Sequence, residues 1–448
     1  MTFKSALDID CGIRFIYDCL QINSSCGRKY LLESQIMKSK REIDIYYEKL
    51  NELYDKDCRP ISNKLMCLKD IYGTISRLAA GKILDDIELF EIKYLSLICG
   101  ETDLVLQQQR IRAVNLPDLK EVVSILDPDN LNIPSFYIYD SYSEELTQVR
   151  KQMKGLKDYD KELNESNQSE YLELKKINDE LEYKVRVDLS GRLLKFAQKL
   201  EHALKNLSFL DVLVAKVFLM KKLGLCFPAV AYECETFYHK MYNPMVESLL
   251  QQKGKEFTPV DFSFSTKPVT IIGANMGGKT VVLKTLALNQ ILAQFGFGVA
   301  ARSCCVNIVD KILLCVGDDQ NVQAGLSSFA AEMLSINNVV NCVRAGENVL
   351  SLIDEPARTT NPVEGTALVE GLLELISDTK GGLVLTTHYN IKNDKVKRYR
   401  VSGLKDGIMD YTLVEADSGD VPHEAVAIAE SLGIDTQWIE LTKKHLNN

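Results

Sequence analysis

Val269-Thr-Ile-Ile-Gly273-Ala274-Asn275-Met276-Gly277-Gly278-Lys279-Thr280, running on into Val281-Val-Leu-Lys-Thr-Leu-Ala-Leu-Asn-Gln-Ile-Leu292, is the stretch that decides how this chain is read. A short apolar strand leads into a glycine-rich turn, and apolar residues at helical spacing follow. The turn is a full G-x-x-x-x-G-K-[ST] match in the strand-to-helix setting that the motif requires. Glycines let the backbone wrap closely round phosphate groups and aim its N–H groups at them. The helix N-terminus adds partial positive charge. Lys279 is expected to reach the β and γ phosphates of ATP, and the Thr280 hydroxyl to ligate Mg2+.

Working outward, Val349-Leu-Ser-Leu-Ile353-Asp354-Glu355 is an apolar strand that ends in two acids. Asp354 is expected to hold Mg2+, directly or through water, and Glu355 to polarise the attacking water as general base. An apolar strand followed by two acids is common; some seventy residues after a phosphate loop it gains meaning. A third strand, Leu383–Thr386, runs into Thr-His388-Tyr-Asn. A histidine at the carboxyl end of a sheet strand sits where ligands bind in open α/β sheets, so His388 is a candidate γ-phosphate sensor. From about Cys226 strands alternate with helical patterns such as Thr366–Ser377, which predicts a sheet with covering helices.

The first half differs. Residues 1–125 read as helical, with apolar residues three and four apart in Ile43–Leu53 and Ile83–Leu97. Leu126–Tyr139 breaks the pattern with two prolines and predicts a turn and a strand or extended connector. Residues 144–186 carry nine Lys/Arg and eleven Asp/Glu, a net −2. Leu172, Leu174, Ile177 and Leu181 suggest a helical hairpin or short coiled coil there, with Asn164–Ser169 as its tip. Residues 187–223 resume an amphipathic helix.

The 448 residues allow two to four domains, with 46% hydrophobic and 26% charged residues. That balance excludes a disordered chain, a collagen-like repeat and a disulfide-stapled miniprotein. A net charge of −9 excludes a strongly basic nucleic-acid domain as the whole, while leaving room for a local basic groove. The twelve cysteines form no C-x-x-C pair, and the adjacent Cys304 and Cys305 suit neither zinc nor an ordinary bridge, so reduced, mostly buried thiols in a cytoplasmic protein are expected. The N-terminus lacks a signal-peptide pattern and no apolar run is long enough to span a membrane.

GANMGGKT, QAGLSSFAAEM, DEP and TTHY together resemble the ATPase of the MutS family, within the ABC ATPase class. Ala274 replaces the proline usual in the family's phosphate loop. The resemblance implies that Ser327 and Ser328 belong to a signature that reaches across a dimer to the partner's nucleotide. It also implies that Gly317–Gln320 is a coupling loop and that Phe257, in Phe-Thr-Pro-Val-Asp261, stacks near adenine. Asn361-Pro-Val-Glu-Gly365 fits the D-loop region; it departs from the form found in mismatch sensors and is closer to the branch that suppresses recombination. Gly27–Leu31 resembles the start of the family's core domain, Leu126–Glu144 its lever connection, and Tyr411–Glu415 with Val426–Gly433 its C-terminal strand and helices.

The expected organisation is therefore α plus α/β. A helical core domain spans 1–125. Lever helices span 126–225, with a charged arm at about 144–186. A P-loop ATPase domain of ABC type, ending in a helical dimerisation segment, spans 226–448. The family's mismatch-reading, connector and nuclease domains are not seen in these residues. The implied cofactors are ATP and Mg2+, and the implied assembly is a homodimer or a heterodimer with a related chain. DNA and a protein client are the two partners left open, the latter because some relatives serve as reactivating ATPases beside amino-acid aminomutases.

Overall fold

The computed structural model describes residues 1–159, 165–232, 234–273, 277–316, 328–377, 382–405, 408–417, 426 and 433–446. The chain forms two compact units. One comprises Met1–Leu20, Glu33–Tyr47 and Phe218–Asn448, the other Gln21–Leu32 and Glu48–Val217.

The first unit holds two sheets. Its strands, in chain order, are β1 (Ala229–Ala231), β2 (Thr236–Met241), β3 (Val260–Phe264), β4 (Val269–Ile272), β5 (Ser303–Asn307), β6 (Lys311–Cys315), β7 (Val349–Ile353), β8 (Leu383–Thr387), β9 (Lys397–Lys405) and β10 (Ile408–Glu415). The smaller sheet has the order β1-β5-β2-β3 and the larger β10-β9-β4-β8-β7-β6. In the larger sheet every pairing is parallel except β9 with β10. β7 and β8 are buried along their whole length, as expected of strands covered on both faces, and this explains their unbroken apolar runs. Ile353, Leu383 and Leu385 pack with Val369, Leu372, Leu373 and Ile376 of the helix Pro362–Ile376 and with Ile336 and Val339 of the helix Ser328–Arg344.

Register then sets the site. Ile272 of β4 stands opposite Thr387 of β8, and Ile353 of β7 opposite Leu385. The carboxyl ends of β4, β8 and β7 are neighbours, and each motif follows one of those ends. The helix Lys279–Gln294 after β4 is buried almost all round, including Asn289, Gln290 and Gln294. These amides are satisfied by hydrogen bonding to backbone. Asn289 Oδ1 accepts from Ala300 N (3.1 Å), Gln290 Nε2 donates to Asn307 O (2.8 Å), and Gln294 Nε2 donates to Met37 O (2.8 Å) and Val309 O (2.9 Å).

The second unit is helical. Asp86–Gln108 starts with a capping box formed by Asp85 and Glu88. Leu126 closes the helix Lys120–Leu126, and Asp127–Tyr139 forms no strand, against one of the two expectations for it; it is a connector that opens on a turn. Its polar groups bond to side chains instead of a neighbouring strand. The buried Asp127 accepts from Asn132 N (2.7 Å) and pairs with the buried Lys93 (3.2 Å), which also donates to Ser135 O and Tyr139 Oη (both 3.0 Å). The charged arm is the expected hairpin, Glu144–Tyr159 against Glu165–Leu193. The short polar residues of Asn164–Ser169 predict the tip, yet residues 165–169 are already helical, because turn propensity is a weak prior that helix propagation overrides. Asn164 lies outside the described residues. The single helix expected over 187–223 is broken by a 3-10 turn at Leu194–Phe196 before Ala197–Leu223.

All twelve cysteines are thiols; five are buried, six half-buried and Cys67 is exposed, so burial is less general than expected. Among the described residues no helix is long and apolar enough to cross a membrane.

Candidate functional site

Gly278 takes φ +76° immediately before the helix that begins at Lys279, a left-handed conformation that glycine adopts without steric cost. Lys279 is buried, with its side chain 4% exposed. Its Nζ donates to Gly273 O (2.6 Å) and lies 3.3 Å from Glu355 Oε1 and 3.4 Å from His388 Nε2. Burial pulls the Lys279 ammonium below its ordinary value, against the carboxylates of Glu355 and Asp354, which favour its charge.

Thr280 Oγ1 donates to Asp354 Oδ2 at 2.7 Å. The other carboxylate oxygen of Asp354 accepts from Thr386 Oγ1 at 2.6 Å, and Thr386 in turn accepts from Glu355 N at 2.9 Å. One threonine of β8 thus fixes both acids at the end of β7. Glu355 Oε1 accepts from His388 Nε2 at 2.6 Å, and Oε2 accepts from Arg358 at 3.1 Å. The hydrogen bond from His388, together with the charges of His388 and Lys279 and the bond from Arg358, lowers the Glu355 carboxyl to about 2 against the opposing effect of burial. Glu355 and Ala357 both adopt left-handed backbone, at φ +46° and +61°. Ala357 N donates to Glu332 Oε1 (2.9 Å) and Ala357 O accepts from Tyr389 Oη (2.7 Å). The Tyr389 hydroxyl comes so close to Gly365 that a Cβ there would collide with it, which gives the glycine of the Asn361–Gly365 segment a steric reason.

The structure therefore brings together Gly273, Gly277, Gly278, Lys279, Thr280, Asp354, Glu355 and His388. Phe257 is half-buried just before β3. Ala274, Asn275, Met276, Gln320 and Ser327 lie outside the described residues; Ser328 opens the helix Ser328–Arg344, and its side chain also lies outside them. Sequence reasoning missed Thr386, Arg358, Glu332 and Tyr389. The first and last open and close the quoted Thr-Thr-His-Tyr, but their roles depend on strand register, which the sequence does not display. The twin hard-oxygen donors Thr280 and Asp354 suit Mg2+ by chemistry; among the described residues no cluster of three or more His, Cys, Asp or Glu forms a metal site by itself.

Residues 269–410 match the family model described as MutS domain V. The chain is 29% identical over 209 residues to endonuclease MutS2 of Leuconostoc mesenteroides subsp. mesenteroides, which covers 46% of this chain and 25% of that protein. It is 28% identical over 285 residues to DNA mismatch repair protein MutS of Geobacillus sp. (strain WCH70), covering 61% and 33%. It is 30% identical over 236 residues to DNA mismatch repair protein MutS of Bacillus cereus (strain G9842), covering 51% and 26%. The matches span between a quarter and a third of the length of these curated relatives. The chain resembles the MutS family, through a match to domain V within a mixed α/β fold.

Proposed function

We propose that this chain is a MutS-like switch that binds and hydrolyses ATP as a dimer and acts on DNA, on mismatched or branched duplexes in repair or recombination. The observation that carries this is the meeting of Lys279, the Thr280–Asp354 pair and the Glu355–His388 pair at the carboxyl ends of β4, β7 and β8. The domain V match and the repair and endonuclease names of the relatives support it. In this reading residues 226–448 are an ABC-type P-loop ATPase domain, 1–125 the core and 126–225 the lever, in a cytoplasmic protein.

Gly273–Thr280 would hold the phosphates of ATP, and Thr280 and Asp354 would hold Mg2+. Bound there, Mg2+ neutralises charge on the β and γ phosphate oxygens. Glu355 would take the proton of the attacking water, with His388 orienting that water or meeting the γ-phosphate. A carboxylate held at such low proton affinity is a poor base. Phosphate oxygens compete for Lys279, and a Lys279 drawn to them leaves Glu355 more basic. Phe257 would stack near adenine, Ser327 and Ser328 would complete the partner's site, and Gln320 would couple the nucleotide to the rest of the chain.

A second reading is an ATP-dependent remodelling or reactivating factor for a partner enzyme, such as a cobalamin-dependent aminomutase. The arm favours it. Arg150 is tied to Asp140 and Glu182, and Arg186 to Asp86 and Glu182, so two of its cations are already neutralised within a net-acidic segment. Phosphate binding draws on excess Lys and Arg.

The deciding experiment is the ATPase rate with homoduplex, mismatched and branched DNA at low and near-physiological salt. Stimulation that fades with salt supports the DNA reading. A DNA-independent rate without DNA binding moves the function to a protein client, and absence of hydrolysis removes the ATPase reading itself.

A further inference from the structure

The turn after β7 is built on backbone that side chains seldom adopt. Glu355 and Ala357 are both left-handed, and neither is glycine, asparagine or aspartate. Such a turn persists only where its surroundings over-determine it. The surroundings are specific here. Ala357 is fully buried, its N–H is taken by the Glu332 carboxylate at 2.9 Å, and its C=O by the Tyr389 hydroxyl at 2.7 Å. Glu332 is half-buried in the first turns of the helix that opens at Ser328. Its charge also bears on Tyr389, whose phenol it helps to keep protonated after the larger effect of burial. The bond to Ala357 N–H commits this carboxylate to a backbone amide two residues beyond Glu355.

We infer that Glu332 is a positioning residue for Glu355. Through the Ala357 N–H it holds the left-handed turn that aims the Glu355 carboxylate at Lys279 and His388, and Tyr389 holds the same residue from its other side. The inference rests on the ATPase reading and deepens it. The Glu332 hydrogen bond to Ala357 also joins the helix Ser328–Arg344 to the turn that carries Glu355.

The role needs an acceptor oxygen and does not need a charge. Glu332→Ala removes the acceptor, while Glu332→Gln keeps a carbonyl oxygen at the same reach. Steady-state ATP hydrolysis, binding of a fluorescent ATP analogue and thermal unfolding are measured on the full chain. Glu332→Ala is expected to lower kcat roughly 10- to 100-fold, the scale of a misaimed catalytic group, with KM and analogue binding unchanged. Glu332→Gln is expected to restore most of kcat. Three results overturn the inference: wild-type kcat in Glu332→Ala, equal slowing in both variants, or loss of analogue binding in step with rate. Should Glu332→Ala fail to fold, Tyr389→Phe carries the test, since it deletes only the hydroxyl that bonds to Ala357 O. Slower kcat at unchanged KM supports the clamp there, and wild-type kcat overturns it. A wild-type protein that binds the analogue but hydrolyses nothing overturns the parent reading, a result seen before any variant is compared.

Discussion

Glu355 gathers three cationic or donor groups, His388, Lys279 and Arg358, onto one carboxylate. Glu355→Gln keeps the shape and removes the proton acceptor. Single-turnover hydrolysis should fall ~10²- to 10⁴-fold, the range for a general base, while nucleotide binding persists. Retained hydrolysis would assign the base elsewhere. The low proton affinity of Glu355 also has a consequence for stability. A carboxyl at about 2 in the folded chain, against 4.5 as its ordinary value, stabilises the fold fully above pH ~4.5, and that contribution is lost as pH falls toward 2. Denaturant midpoints from pH 5 to pH 2.5 should therefore fall less steeply in Glu355→Gln than in the parent chain. Parallel slopes would show that the carboxyl titrates alike in both states. At this scale the motifs made Lys279, Thr280, Asp354, Glu355 and His388 legible, because phosphate and metal chemistry restricts residue type at fixed spacing. Thr386, Arg358, Glu332 and Tyr389 were not legible. A threonine, an arginine, a glutamate and a tyrosine satisfy many environments; the pairing of β7 with β8 makes the bonds of Thr386 and Tyr389, the turn after β7 that of Arg358, and the packing of the helix Ser328–Arg344 that of Glu332.

Helices and connectors in the second unit are held by a few buried polar contacts. Lys93 and Asp127 are both essentially inaccessible and pair at 3.2 Å. Lys93→Met leaves a buried carboxylate without its cation and should destabilise the chain by ~3–5 kcal/mol, read from urea unfolding. The Lys93→Met/Asp127→Asn double variant should recover part of that loss, and a single variant within error of wild type would show that the pair contributes little. A similar argument explains Gly27. Asp211 accepts from Ser24 N (2.8 Å), Ser24 Oγ (2.6 Å) and Asn23 N (3.2 Å) just ahead of the helix Ser25–Glu33. A Cβ at residue 27 would lie 2.7 Å from Asp211 Oδ2 and 2.9 Å from Ser24 Oγ. Gly27→Ala should cost ~1–3 kcal/mol by overpacking, measured the same way. Helical periodicity revealed the existence of these elements. It did not reveal the break at Leu194–Phe196, where the amphipathic pattern continues uninterrupted, nor the connector's lack of a strand, which follows from the hydrogen bonding of Asp127.

For the whole molecule the test is complementation. If each nucleotide is enclosed by the phosphate loop of one subunit and Ser327/Ser328 of the other, Lys279→Ala and Ser327→Ala/Ser328→Ala are each inactive as homodimers. Mixed in equal amounts with free exchange, half of the dimers carry one intact site of two, so activity should return to roughly a quarter of wild type. Activity that stays at the level of the separate variants argues against a site completed in trans. The strands that frame the site were legible as apolar runs, and the mixed α/β class followed from their alternation with helices. The β10-β9-β4-β8-β7-β6 order was not, since the neighbours of β4 are set by packing across more than a hundred residues. The amide side chains of the helix Lys279–Gln294 have a mechanical meaning. Asn289, Gln290 and Gln294 fasten its far half to backbone at Ala300, Asn307, Val309 and Met37, and directional bonds resist sliding where an apolar seam would permit it. If the chain works as the proposed ATP switch, that helix is expected to act as its stator: its far half stays anchored while only the Lys279 ammonium shifts toward phosphate, and the stroke is taken up elsewhere.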